Sequence, residues 1–174
     1  MFGLEIIAKI FKILRSGGSP GQIAAGFTLG MVPGLTPPWN LHNLIILILL
    51  IILNVNLGAA IFSFVIFSGI AYVFDPWFHD LGYYLLTGIP ALKEMWTTLY
   101  HMPVFGLSNF NNTVVMGSLI TSLILLIPLY FLVKKFVVLY REKLEARFLK
   151  LKIVQLVRGS RVYSFYEKIK NLGG

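Results

Sequence analysis

A chain of 174 residues that is 57% hydrophobic and 13% charged, with a mean hydropathy of +0.80, excludes an ordinary soluble domain and points to a small membrane bundle. It contains no cysteine, which excludes a disulfide framework, thiol catalysis and Cys-ligated metal. The net charge of +8 is segregated: residues 134–174 carry eleven Lys/Arg and three Glu, residues 1–15 a net +2, and residues 16–133 a net −2.

In residues 1–15, Glu5, Lys9, Lys12 and Arg15 are spread along the segment instead of preceding an apolar stretch, which reads as mature sequence and not as a targeting peptide. Glu5, Lys9 and Lys12 share one helical face, and Phe2, Ile6, Ile10 and Ile13 another. This is an amphipathic helix that either lies in the membrane interface or packs on the rest of the protein. SGGSPGQ then breaks the chain, with Ser19 as N-cap and Pro20 at the first position of the next helix. That helix is expected to stop near Val32, before Pro33-Gly34, which leaves it about 20 Å long against a hydrocarbon core of roughly 30 Å. A Thr36-Pro37-Pro38 turn and a second apolar helix, from about Leu41 to Leu53, complete a re-entrant hairpin over 19–53 that enters and leaves by one face.

Asn54-Val55-Asn56 interrupts the apolar run, and Asn56 is the N-cap of an uncharged stretch, 57–74, that is just long enough to span. Asp75-Pro76 is the expected exit. Residues 75–112 form an amphipathic outer loop, with short helices near 77–86 and 91–101 rich in Trp and Tyr and a polar turn over 103–112. TVVMGSLITSLILLIPLYFLV, 113–133, is a second span, in which Pro128 is tolerated. A basic helical tail, 134–174, follows: a long helix to about Val157 with Tyr140, Leu144, Phe148 and Leu151 on its apolar stripe, a break at Gly159-Ser160, and a last short helix with Val162, Tyr166 and Ile169 on one side. The Lys/Arg excess puts both termini in the cytoplasm and the outer loop, whose one basic residue is Lys93, on the far side. A basic tail that directly continues a span is read as touching anionic lipid, not nucleic acid.

The segment GFTLGMVPGLTPPWNLHN, 26–43, is the candidate site. Gly26, Gly30 and Gly34 recur every four residues, a strip where a second backbone or a ligand comes close. Thr36, Trp39, Asn40, His42 and Asn43 sit at the hairpin tip, with Asn54 at the base of the second half-helix. Free backbone groups in such a turn must be buried in protein or line a wet cavity. The candidate substrate-binding set is therefore Gly26, Gly30, Pro33, Gly34, Thr36, Pro37, Asn40, Asn43 and Asn54. No catalytic residues, metal ligands or cofactor are assigned: no H-E-x-x-H, P-loop or G-x-S-x-G occurs. Asp75 and His79, spaced i,i+4, are read as an interfacial Asp-Pro cap beside a solvated His.

Ser19-Pro20, Gly26, Gly30, Pro33, Gly34, Pro37 and Asn54 before an apolar helix together resemble the bacterial membrane protein family catalogued as domain of unknown function 2062, over about residues 16–75. The resemblance implies an inner-membrane location and a Gly/Pro hairpin as the common core, and supplies no activity. Some relatives are fused to glycosyltransferase domains, which points to the cell envelope or lipid-linked sugars; this chain carries a basic tail instead. The expectation is an all-α, polytopic inner-membrane protein with a re-entrant hairpin, two full spans and a basic amphipathic C-terminal helix. Its expected role is that of a non-catalytic subunit or anchor of an envelope complex, partnered by lipid and by another membrane protein or further copies of itself. The alternative is binding or translocation of a lipid-like or small substrate at the hairpin; a membrane enzyme is a distant third.

Overall fold

The structure, a computed structural model, describes residues 9–10, 12–14 and 16–144. The tail helices expected beyond residue 144, and most of the first amphipathic helix, lie outside the described residues. The chain divides into two compact units: Gly18–Lys134 is one, and Met1–Gly17 with Lys135–Gly174 is the other. The described residues are helix and turn, with no strand among them.

Helix α1, Pro20–Leu35, begins as the sequence dictates. The Ser19 hydroxyl accepts the Gln22 N–H at 3.2 Å, and the Gln22 side chain accepts the Ser19 N–H at 2.7 Å, a reciprocal capping box. Its end corrects the expected stop at Val32. Pro33 removes one backbone donor, but the helix continues a further turn, and Thr36 N–H still reaches the Val32 carbonyl at 3.1 Å. The stop comes at Pro37-Pro38: Thr36, the residue before them, is pushed to φ −97, ψ 150, extended backbone from which no helix continues.

Helix α2, Leu41–Ile52, runs back toward the start of α1, for Asn56 N–H donates to the Gln22 carbonyl at 3.0 Å. Asn56 then caps helix α3, Leu57–Tyr83, its side-chain oxygen accepting the Ala59 N–H at 2.8 Å. α3 lies parallel to α1. Gly26 abuts the backbone of Asn56, Gly30 that of Ala60, and Gly34 meets Phe64 and Phe67, so the glycine strip is where the two helix backbones approach.

α3 also corrects the expected helix end at Phe74. The helix passes through Asp75 and Pro76 to Tyr83 and continues as a π-helical turn, Tyr84–Gly88, so no separate helix starts at Trp77. Pro76 removes only one backbone bond, while the turns beyond it are held by packing. Phe78 and Gly82 are buried, the Gly82 Cα faces the Thr113 backbone, and Gly117 faces the Phe78 carbonyl. A 3₁₀ turn, Pro90–Leu92, leads to helix α4, Lys93–Tyr100, and to the short α5, Pro103–Gly106. Asn109 takes φ 53 in the following turn, a conformation asparagine tolerates.

Helix α6, Thr113–Leu139, is capped by Asn112, whose side-chain oxygen accepts from Val114 N–H at 3.0 Å and Val115 N–H at 3.2 Å. It packs antiparallel on the second half of α3 and continues without a break from the expected span, 113–133, into the basic helix expected to follow it, because Lys134-Lys135 are good helix formers and nothing there stops a helix. Met31, Leu35 and Phe78 form the buried centre, with Phe67, Ala71, Val114 and Leu129 packed around it. Two helices, Leu57–Gly88 and Thr113–Glu142, are long and apolar enough to cross a membrane. Their outward faces are apolar too: Val65, Val73, Ile124, Phe131 and Leu132 are all exposed.

Candidate functional site

The tip of the α1–α2 hairpin is built from side chains that serve its own turn. Thr36 Oγ1 lies 2.9 Å from the Val32 carbonyl and 2.8 Å from Asn43 Oδ1. Asn43 Nδ2 donates to the Pro37 carbonyl at 2.7 Å and to that of Pro38 at 3.3 Å, and Asn40 Nδ2 donates to Pro37 at 2.7 Å. Asn109, seventy residues on, donates from Nδ2 to the Trp39 carbonyl at 3.2 Å and to Asn40 Oδ1 at 3.0 Å. The 107–112 turn is thus fastened to the tip, a contact that sequence spacing does not signal. Thr36 and Asn43 are buried, whereas Trp39 is 90% exposed.

Two cavities flank this tip. The larger, about 830 Å³, is a groove bounded by Gly30 and Pro33 of α1, by Leu44, Leu47 and Ile51 of α2, and by Leu57, Ala60, Ile61 and Phe64 of α3, with Trp39, Asn40, Asn43 and Leu107 at the tip end. No ionisable side chain lines it. The smaller, about 360 Å³, lies between the tip and the middle of α3 and is lined by residues 33–38 together with Phe64, Ser68, Ala71, Tyr72 and Asp75.

The candidate residues are therefore distributed, not gathered. Gly30, Pro33, Asn40 and Asn43 border the groove; Pro33, Gly34, Thr36 and Pro37 border the smaller cavity. Gly26 is taken up by the contact with Asn56, and Asn54 is exposed in the linker at the hairpin base, apart from the tip. His42, whose two ring nitrogens are buried with no hydrogen-bond partner, borders neither cavity. Asp75 is not a helix cap but a mid-helix residue facing the tip, and His79 is engaged by Thr113, Nδ1 to Oγ1 at 2.7 Å, and stacked on Tyr83. The sequence signal for Asp75 was the acid itself: between Ser16 and Leu92 only Asp75 and Asp80 are charged at neutral pH. Among the described residues no group of three or more His, Asp or Glu is placed to hold a metal.

The family model described as "Uncharacterized protein conserved in bacteria (DUF2062)" matches residues 6–145. The chain belongs to the DUF2062 family. Membership extends well beyond the hairpin, over the α3–α6 region and the start of the basic segment. The DUF2062 chain is similar to an "Uncharacterized protein" of Treponema pallidum (strain Nichols), 27% identical over 157 residues, which covers 90% of this chain and 96% of that one. No solved structure matches it.

Proposed function

We propose that this DUF2062 protein is a multi-pass protein of the bacterial inner membrane with both ends cytoplasmic, a re-entrant α1–α2 hairpin, and a non-catalytic role in which the hairpin groove holds the apolar part of a lipid-like ligand. The observation that carries the reading is the groove: about 830 Å³, within the usual range of small-molecule sites, and lined by Leu, Ile, Phe and Gly without a charge. A peptide laid there would find few partners for its backbone amides, whereas an acyl or prenyl chain needs none. α1 supports the re-entrant path. Its sixteen residues give about 24 Å, its tip faces the middle of α3, and side chains of the tip and the 107–112 turn satisfy the turn's carbonyls.

To test the reading, the protein is reconstituted in vesicles containing a phospholipid with a diazirine on one acyl chain. Photolabel is expected to concentrate on peptides containing Leu47, Ile61 and Phe64, several-fold above those containing the outward-facing Ile124, and Leu47→Trp, which fills the groove, is expected to remove the excess. Equal labelling of groove and outward face would mean ordinary annular lipid and sink the reading.

A second reading, anchor or subunit of an envelope complex, rests on the basic segment 134–174 with its eleven Lys/Arg. Arg141, at the root of the basic tail, donates from Nε to the Leu14 carbonyl at 2.9 Å and from Nη2 to that of Ser16 at 2.8 Å. The tail root is thus tied to the end of the N-terminal segment, supporting ends on one side of the membrane. If deletion of 145–174 disperses a co-purifying complex while Leu47→Trp leaves it intact, this second reading replaces the first.

A further inference from the structure

We propose that Asp75 and the carbonyl end of α1 form a binding site for a small monovalent cation, in the smaller cavity and independent of the apolar groove. A helical carbonyl is normally met by the N–H four residues on; for Pro33 and Gly34 those positions are Pro37 and Pro38, which have none. The side chains at the tip do not make up the loss, because Asn40 and Asn43 serve the Pro37 and Pro38 carbonyls, and the single Thr36 hydroxyl proton lies between the Val32 carbonyl and Asn43 Oδ1. Gly34 lines the cavity, and having no side chain it presents backbone there.

Asp75 lines the same cavity. Among the described residues its carboxylate has no hydrogen-bond or ion-pair partner. Electrostatics makes the pairing unfavourable as it stands: the C-terminal end of a helix carries a partial negative charge of about half an electron, and a carboxylate is repelled by it. No Lys or Arg occurs between Ser16 and Leu92 to compensate, and His79, one turn along, is engaged with Thr113. A cation between the two negative ends turns the repulsion into attraction. The donors are all hard oxygens: one carboxylate, the carbonyls of a broken helix, and the hydroxyls of Ser68 and Tyr72. Oxygen-only sets select alkali and alkaline-earth ions over zinc or copper, and a single formal charge suits a monovalent ion, since divalent sites recruit more carboxylates. Carbonyl ends of interrupted helices coordinate sodium in this way in some secondary transporters.

The test uses the full chain in detergent, with choline chloride replaced stepwise by NaCl or KCl at constant ionic strength while the thermal unfolding midpoint is followed. Expected is a saturable rise of several degrees with Na⁺ or K⁺, absent in Asp75→Asn and retained in Asp80→Asn, an acid outside the cavity. No rise in the unaltered protein, as for a carboxyl neutralised by a proton, overturns the proposal, and so does an equal rise in Asp75→Asn. Stabilisation through Asp75 by millimolar Mg²⁺ or Ca²⁺ alone overturns the monovalent assignment. Should Asp75→Asn fail to fold, Ser68→Ala, which removes one ligand oxygen and no charge, is expected to weaken the response several-fold; an undiminished response there would move the ion elsewhere and also overturn the assignment.

Discussion

At Gly30 a methyl group would fall on the Ala60 carbonyl, and at Gly69, on the same pair of packed helices, it would meet nothing within 4 Å. Gly30 belongs to the four-residue glycine strip and Gly69 does not, and what faces them differs accordingly. Gly30→Ala is therefore expected to cost about 1–3 kcal/mol, because the obstacle is backbone and no rotamer change relieves it. Gly69→Ala is expected to be neutral or to stabilise by up to about 1 kcal/mol through helix propensity. Thermal unfolding of the two variants in one detergent checks the contrast, and an equal response at both positions would refute the close α1–α3 approach. Gly82 and Gly117 belong with Gly30: each faces backbone of the opposing helix. The four-residue spacing exposed the first strip to sequence reading. Gly82 and Gly117 carry no such spacing, since they lie on different helices and meet only after folding.

Among the elements, the capped helix starts were readable, and so was the end of α2, but the ends of α1 and α3 were not. Ser19 with Gln22, Asn56 and Asn112 are side-chain caps acting within three residues, and local bonds of that kind are written in the sequence. Pro33, Pro76 and Pro128 each lie inside a helix that continues through them, because packing on the far side outweighs one lost bond. The Pro37-Pro38 pair, by contrast, stops α1, by removing two donors in succession and forcing Thr36 to be extended. The Arg141 clamp is an element-scale device with its own test. A lysine cannot reproduce two donors in fixed geometry, so Arg141→Lys is expected to lose most of the contact and to cost about 1–2 kcal/mol. Faster limited proteolysis near Ser16–Gly18, with the rest of the digestion pattern unchanged, is the expected readout; an unchanged rate would show that the clamp holds nothing.

For the whole molecule, the absence of cysteine makes path and sidedness measurable by single substitutions. With cysteines at Thr36, Asn40, Ser108 and Ser160, an impermeant thiol reagent is expected to label Ser108→Cys from outside and Ser160→Cys from the cytoplasm. Thr36→Cys, buried at the tip, is expected to label poorly from either face. The Asn40→Cys/Asn109→Cys pair is expected to be bridged by a short bis-thiol reagent, given the 3.0 Å contact between the native side chains. Ready labelling of Thr36→Cys from outside would mean that the hairpin crosses, and the re-entrant reading would go.

The sequence by itself determined the helical class, two stretches apolar and long enough to span, and the hairpin with its Pro turn, since these rest on composition, periodicity and caps read over short windows, and its Gly/Pro motif carried the resemblance to the family. Tertiary structure alone decided what those elements are for. It set the glycines against a parallel helix, turned Asn40 and Asn43 inward to serve Pro37, brought Asn109 across seventy residues to the tip, and carried α3 through Asp75 so that this residue lines one cavity with the end of α1. The physical reason is one of range: caps and turns are local bonds, whereas backbone approach and a cavity shared by a helix end and an acid exist only between segments far apart in the chain.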